Sequence, residues 1–279
     1  MTSPCFDVAI ADKIAVVTLN RPEAFNAMNR AFWNELPEII RDIDDNARAR
    51  VIVIASTGKH FTSGMDLSVF TDGESVMASD GDPSVRAEAF RQFVLTLQGT
   101  FSCLDEARIP VIAAVQGGCI GAGVDMTSAC DIRYATENAF FQIHEINIGM
   151  TADVGTFPRL CKLIPEGWVR ELAYAGRRLD AAKAKEIGLV NEIFSTQEAM
   201  LEAVMTLAHE IASKSPVAVA GSKRMINYAR DHSSADALDH IATWQAGMFS
   251  PAHLMESFAA KQQKRDPVFP DLLPLRKKM

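Results

Sequence analysis

The chain has 279 residues, 48% of them hydrophobic and 23% charged, with 28 Lys plus Arg against 35 Asp plus Glu and a formal net charge of -7. That balance is too apolar for a disordered chain, and its mild acidity excludes a global electrostatic footprint for nucleic acid. The longest apolar stretches, such as residues 111–115 (VIAAV), are far too short to span a bilayer.

Along the chain, residues 14–19 (IAVVTL) are β-branched and end at the turn signal Asn20-Arg21-Pro22, which predicts a strand. Residues 29–42 carry Phe32, Trp33, Leu36, Ile39 and Ile40 at helical spacing, with Pro37 as a kink or restart point. Residues 51–55 (VIVIA) lack polar alternation, the mark of a strand buried on both faces. Residues 71–83 are rich in Gly, Asp and Ser and read as a surface loop. A helix is expected over 85–104, a buried strand over 111–115, a Gly-rich turn over 116–123, a helix over 122–129 and a strand over 132–135. Strands alternating with helices predict an α/β architecture built from crossover units. From about residue 165 the pattern is helical, over 167–175, 180–187, 197–214, 216–228, 233–248 and 253–264, with Asp180 as an N-cap and Gly188 as a stop. This predicts two regions, 1–205 as the α/β core and 206–279 as a helical region, with an extended tail from 266.

Several chemistries lose their signature. There is no phosphate-binding G-x-x-x-x-G-K-[ST] loop, and Gly121-Ala122-Gly123 lacks the third glycine of a dinucleotide fingerprint. No G-x-S-x-G elbow occurs, and the six histidines show no metal-ligand spacing. The five cysteines, Cys5, Cys103, Cys119, Cys130 and Cys161, form no C-x-x-C pair and are expected to be reduced and buried. Residues 1–6 carry no secretory pattern and residues 276–279 no peroxisomal or retention signal, so a cytoplasmic protein is expected.

Three features carry chemistry. The stretch from Gln116 through Gly117, Gly118, Gly121, Ala122 and Gly123 to Asp125 follows a buried strand and opens a helix. Small residues there let a ligand approach the backbone, and unpaired N–H groups of the first helical turn suit a developing negative charge. A close helix–strand contact would use the same glycines. The stretch from His60 through Ser63, Gly64 and Met65 to Leu67 occupies a second strand-to-helix turn. Amides from the two loops, facing each other, would form a two-donor oxyanion hole; taken alone, the stretch reads rather as an ordinary loop with Asp66 as an N-cap.

The third feature is a set of acids in apolar surroundings: Asp125 between Val124 and Met126, Glu145 before Ile146, and Asp153 before Val154. A desolvated carboxyl holds its proton to higher pH, which suits exchange with carbon near neutrality. Each acid also has a structural reading. Asp125 would pair with Arg133 or a backbone amide, Glu145 would form a surface salt bridge, and Asp153 would cap the next helix.

Taken together, Asn20-Arg21-Pro22 with Asn26-Ala27-Met28, then the 61–67 stretch, then 110–125, Asp131-Ile132-Arg133 and Gly188-Leu189-Val190 resemble the crotonase (enoyl-CoA hydratase/isomerase) superfamily from about residue 6 to residue 265. Within it, hydratases carry glutamate at both positions matching Asp125 and Glu145. The three acids here are similar to those of the Δ3,5-Δ2,4-dienoyl-CoA isomerases. The resemblance implies a spiral of ββα units with a C-terminal helical region that joins subunits into homotrimers or homohexamers. It implies an acyl-CoA thioester whose carbonyl oxygen accepts from the Met65 and Ala122 amides. Ser63, Gly64, Asp66 and Leu67 would line the CoA path, and Phe258 and Lys261 would contact its nucleotide end, from a neighbouring subunit if not from the same one.

The implied reaction converts a 3,5-dienoyl-CoA to the 2,4-dienoyl product of unsaturated fatty acid β-oxidation, with Glu145 and Asp153 exchanging the C2 and C6 protons and Asp125 in support. Glu145 is preferred at C2. No metal or redox cofactor is expected, CoA being part of the substrate. Phe140, Phe141, Ile143 and Met150 are candidates for drying the pocket. The alternatives are an enoyl-CoA hydratase that tolerates Asp125 and a non-enzymatic RNA-binding relative, which the acidic balance disfavours.

Overall fold

The computed structural model describes residues 4–71 and 82–275. Its first element pair is a hairpin. β1 (Phe6–Ala11) turns through Asp12 and Lys13, both at positive φ, into β2 (Ile14–Leu19), which pairs with it antiparallel. The first helix, α1 (Arg30–Asp45), starts where the Asn29 side chain accepts the Phe32 N–H at 3.0 Å, satisfying one of the orphan donors of the first turn. Its apolar stripe, Phe32, Trp33, Leu36, Ile39, Ile40 and Ile43, is buried as the spacing predicts. Pro37 lies within α1 without ending it. The carbonyl that Pro37 leaves without its helical donor belongs to Trp33, and the Thr100 hydroxyl takes it at 3.2 Å.

β3 (Val51–Ser56) is buried over its whole length and lies parallel to β2. After the short α2 (Ser68–Thr71) and the long α3 (Pro83–Glu106), the chain makes two similar circuits. The first is β4 (Val111–Val115), β5 (Gly118–Ile120) and α4 (Ala122–Ser128). The second is β6 (Ile132–Thr136), β7 (Phe140–Gln142) and α5 (Thr156–Leu163). α6 (Glu166–Ala175), β8 (Leu179–Asp180), α7 (Ala181–Glu186) and β9 (Glu192–Phe194) follow, then α8 (Gln197–Ala212), α9 (Pro216–Asp231), α10 (Ser234–Met248) and α11 (Pro251–Gln263).

The six-stranded sheet runs β1-β2-β3-β4-β6-β9 and the three-stranded sheet β5-β7-β8. In each circuit the first strand therefore joins the large sheet and the second the small one, before a helix closes the turn. This is the expected spiral of ββα units. The large sheet is parallel apart from its β1 edge. Side chains of β3 alternate between two cores, with Ile52 and Ile54 on one face and Val51, Val53 and Ala55 on the other. The second core is covered by Met200, Val204, Ala208 and Ala212 of α8.

The structure departs from the sequence reading in a few places. β1, β5, β7, β8 and β9 are unpredicted; β5 falls in the expected Gly-rich turn, and β8 and β9 lie beyond residue 165, where only helices are expected. β5, β7, β8 and β9 have two or three residues each, too few for a period to register. α5 is short and carries Pro158 near its start, which masks it in the sequence. All five cysteines are free thiols, but Cys161 is exposed on α5 rather than buried. Of the expected 71–83 loop, Thr71 ends α2 and Asp82 caps α3 by accepting the Ser84 N–H at 2.8 Å; residues 72–81 lie outside the described residues. Among the described residues no helix is long and apolar enough to cross a membrane.

Candidate active site

Two backbone loops meet at the ends of β3 and β5. The first is held by Asn26, whose side-chain amide donates to the carbonyls of Thr57 (2.8 Å) and His60 (3.1 Å). Thr62 joins the small sheet beside Cys119, donating to the Gly118 carbonyl at 3.0 Å and accepting from Ile120 at 3.2 Å. Gly64 then passes so close that a Cβ there would lie 2.7 Å from the Ile120 carbonyl oxygen, and its φ is +88°. Only glycine fits both demands.

This approach sets up two free amides. Met28 donates to the Gly64 carbonyl (2.8 Å) and accepts from Asp66 (3.0 Å). Backbone groups alternate in direction along an extended segment, so the intervening Met65 N–H turns away from Met28. Ala122 is the first residue of α4, where N–H groups have no intrahelical partner, and its N-cap Gly121 offers no side chain. Neither amide donates to an acceptor among the described residues. The Ala122 nitrogen lies 3.5 Å from where a Cβ of Gly64 would stand.

Both residues line a cavity of about 500 Å³. Ser63, Gly64, Asp66 and Leu67 line it too, as do Glu145 and Asp153. The expected thioester grip and two of the three acids therefore share one space. Asp125 does not reach the cavity surface and sits behind it. Phe258 and Lys261 lie away from it, exposed on α11. Of the four expected drying residues only Met150 lines the cavity; Phe141 and Ile143 are core, and Phe140 packs beneath the Arg178 guanidinium, 4.2 Å from its ring centre. The apolar wall is instead Phe90, Phe93, Val94 and Leu97 of α3. None of the four stands out in the sequence as a site residue, although their i, i+3, i+4, i+7 spacing marks one helix face.

The acids differ in their surroundings. Asp125 is 1% exposed. Its Oδ1 accepts the Thr156 N–H at 2.6 Å and the Thr156 hydroxyl at 2.8 Å, while its Oδ2 is buried without a partner. A backbone amide thus holds it and Arg133 does not. The Arg133 guanidinium donates to the carbonyls of Leu189, Thr127 and Cys130. Burial, reinforced by the charges of Glu145 and Asp153, pushes the Asp125 carboxyl up to about 7 against the pull of the Thr156 bonds.

Glu145 heads a 3-10 turn, Glu145–Ile148, that Gly149 closes at φ 78°. Among the described residues it makes no salt bridge. Its carboxylate lies against Gly121, and its Oε2 is buried without a partner. Burial raises its proton affinity, and the charge of Asp153 adds to this. Asp153 is half-buried and is also shifted upwards by burial. It caps no helix, since α5 begins after Gly155 and its first amide goes to Asp125. The Asp153 backbone is fixed by Gln98, whose side chain donates to the Asp153 carbonyl at 2.7 Å. Three carboxyls whose proton affinity is raised by burial thus cluster beside two unpaired amides. That arrangement can take a proton from one carbon, hold negative charge on an oxygen and return a proton elsewhere.

The sequence pattern described as Enoyl-CoA hydratase/isomerase matches residues 9–272. The Delta(3,5)-Delta(2,4)-dienoyl-CoA isomerase, mitochondrial, of Mus musculus is 46% identical over 252 residues, covering 90% of this chain and 76% of its own. The peroxisomal protein of that name from Arabidopsis thaliana is 37% identical, covering 91% of each chain. The crystal structure of enoyl-CoA hydratase from Bacillus anthracis superposes with a TM-score of 0.83 at 28% identity, covering 95% of this chain and 98% of the other. The cytoplasmic location expected above is overturned by these relatives, which are named mitochondrial and peroxisomal. Address signals are read apart from the folded body, so the residues that build this fold carry no compartment information.

Proposed function

This chain belongs to the enoyl-CoA hydratase/isomerase family, and within it we propose a Δ3,5-Δ2,4-dienoyl-CoA isomerase in which Glu145 and Asp153 move the protons. The family makes the ligand an acyl-CoA thioester. The Met65 and Ala122 amides receive its carbonyl oxygen. As a proton leaves C2, negative charge spreads from that oxygen along the chain to C6. A proton added at C6 leaves double bonds at C2 and C4, conjugated with the thioester. Each amide donor is worth on the order of 3 kcal/mol to such a charge in comparable sites. Because C2 and C6 are several bonds apart, two acids serve better than one, and Glu145 is assigned to C2 and Asp153 to C6. Asp125 acts behind them through its charge.

The carrying observation is that Glu145 and Asp153 line the same cavity as both unpaired amides. The reaction moves protons and no electrons, so it calls for no redox cofactor, and the amides do the work a Lewis acid would do. The apolar α3 wall keeps water from the conjugated product, which a hydratase would instead attack. Phe258 and Lys261 reach the CoA nucleotide end from a neighbouring subunit, in a homotrimer or homohexamer built on the C-terminal helices. Exposed Leu238, Ile241, Phe249, Leu254 and Met255 on and between α10 and α11 support that assembly.

Incubation with a 3,5-dienoyl-CoA, followed by the rise of conjugated-diene absorbance, tests the reading. Brisk hydration of a 2-enoyl-CoA without any action on the diene would assign the chain to the hydratases instead.

A further inference from the structure

Asp125 is separated from the cavity, so it acts on the reaction through its charge, and the hydrogen bonds that oppose its protonation come from one residue. Thr156 is the first residue of α5 and is 1% exposed. Both of its donors, N–H and hydroxyl, converge on the same carboxylate oxygen, Oδ1. An oxygen that already accepts two hydrogen bonds has little capacity left for a proton, so the proton goes to Oδ2. Among the described residues the buried carboxyl oxygens without a partner are Oδ2 of Asp125 and Oε2 of Glu145.

We propose that Thr156 is a positioning residue of the acid cluster: its hydroxyl keeps Oδ1 of Asp125 as a bare acceptor, directs the proton to Oδ2 and sets the pH at which the cluster charges. The proposal rests on the isomerase reading for its effect on turnover. The surroundings of Asp125 leave the hydroxyl a large share of this control. The charges that bear on Asp125 from the neighbouring turns are those of Glu145 and Asp153, both carboxylates. From β5 the Cys119 thiol faces it, but burial pushes that thiol up to about 12, so it is neutral. Of the cations of α5, Lys162 pairs with Asp231, and Arg159 donates to Ser102 through Nη2 while its Nη1 lies buried and unpaired beside Gly155; neither is among the charges that act on Asp125. Arg133 is spent on carbonyls. Donors to the charged form are thus what opposes burial, and a donor to an ionised group is the stronger kind of hydrogen bond.

The test compares Thr156→Val and the milder Thr156→Ala with Thr156→Ser, which restores the hydroxyl. Titration of carbon-13-labelled aspartate carboxyls by NMR follows Asp125 without need of turnover, with Asp125→Asn identifying its signal. Loss of the hydroxyl is expected to move the Asp125 midpoint upwards by on the order of one pH unit. With a 3,5-dienoyl-CoA, the acid limb of kcat/KM is expected to move up with it and kcat to fall, while KM stays near the wild-type value because Thr156 does not line the cavity. Thr156→Ser restores both the midpoint and the limb. An Asp125 midpoint unchanged in Val and Ala variants overturns the proposal and leaves Thr156 as a helix-start contact only. Lack of diene isomerisation by the wild-type protein overturns the isomerase reading instead, and the two failures are read from different measurements.

Discussion

The Glu145 carboxylate rests on Gly121: a Cβ at position 121 would stand 3.2 Å from Oε1. The same glycine, at φ 53° and ψ -121°, is the N-cap that delivers the Ala122 amide to the cavity. One residue therefore sets both the height of an acid and the aim of an oxyanion donor. Gly121→Ala introduces backbone strain on the order of 1–3 kcal/mol and pushes the carboxylate away. Melting is expected to shift modestly, while turnover of a 3,5-dienoyl-CoA falls by more than roughly tenfold, as sub-ångström errors in catalytic groups are amplified. A variant with normal turnover would show that Glu145 does not need this seat.

Asp153 and Glu145 are expected to behave alike under isosteric replacement. Asp153→Asn removes a half-buried carboxyl whose backbone is independently fixed by Gln98. It should fold normally and lose about 10²–10⁴ in kcat, the usual worth of a positioned acid or base. Glu145→Gln should lose as much. Solvent deuterium exchange at C2 separates their roles. If Glu145 works at C2, the Asp153→Asn enzyme still exchanges that proton and the Glu145→Gln enzyme does not.

Asp125 makes the protein pay for its site in stability. Its folded carboxyl is pushed up to about 7 from its ordinary value of 3.8. Between those limits the folded state holds a proton that the unfolded state has lost, so folding stability falls as pH rises through that window and stays reduced above it. Asp125→Asn keeps an oxygen for the two Thr156 donors and cannot ionise. It is therefore expected to be more stable than the wild type at pH 8 and to lose that advantage near pH 4, measured by denaturant midpoints at each pH. Equal pH dependence in the two proteins would mean that Asp125 is not strained by its charge. A gain in stability with a loss of activity is the usual signature of a site residue.

Local pattern carries much of this fold. Uninterrupted apolar runs at 51–55 and 111–115 mark strands buried on both faces, and the stripe from Phe32 to Ile43 marks α1, because these periods are set by neighbours along the chain. The two- and three-residue strands of the small sheet are invisible, since pairing across the sheet and not local preference creates them. In the site, Gly64 and Gly121 are legible as glycines but not as contacts. That Glu145 and Asp153 share a cavity while Asp125 lies behind it is a tertiary fact with no sequence period. The α3 wall is missed for a related reason: a helix face shows that it is buried, but not whether a core or a ligand space lies opposite.

That wall yields a last prediction. Leu97 is 7% exposed and, with Phe90, Phe93 and Val94, gives an apolar face to the cavity that Met65 and Ala122 also line. With the thioester end of a substrate anchored at the amides, the apolar face is the surface suited to its acyl chain. Leu97→Ala removes three carbons at a surface that already faces open space, and its cost in stability falls near the lower end for such truncations, about 2 kcal/mol. Each methylene gained or lost in an apolar pocket is worth about 1–3 kcal/mol of discrimination. The preferred acyl length is therefore expected to rise, with kcat/KM for a longer or branched dienoyl-CoA improving relative to a short one by roughly tenfold. The ratio across a chain-length series measures this. A uniform fall for every chain length would place Leu97 in the core alone and move the acyl path to another wall.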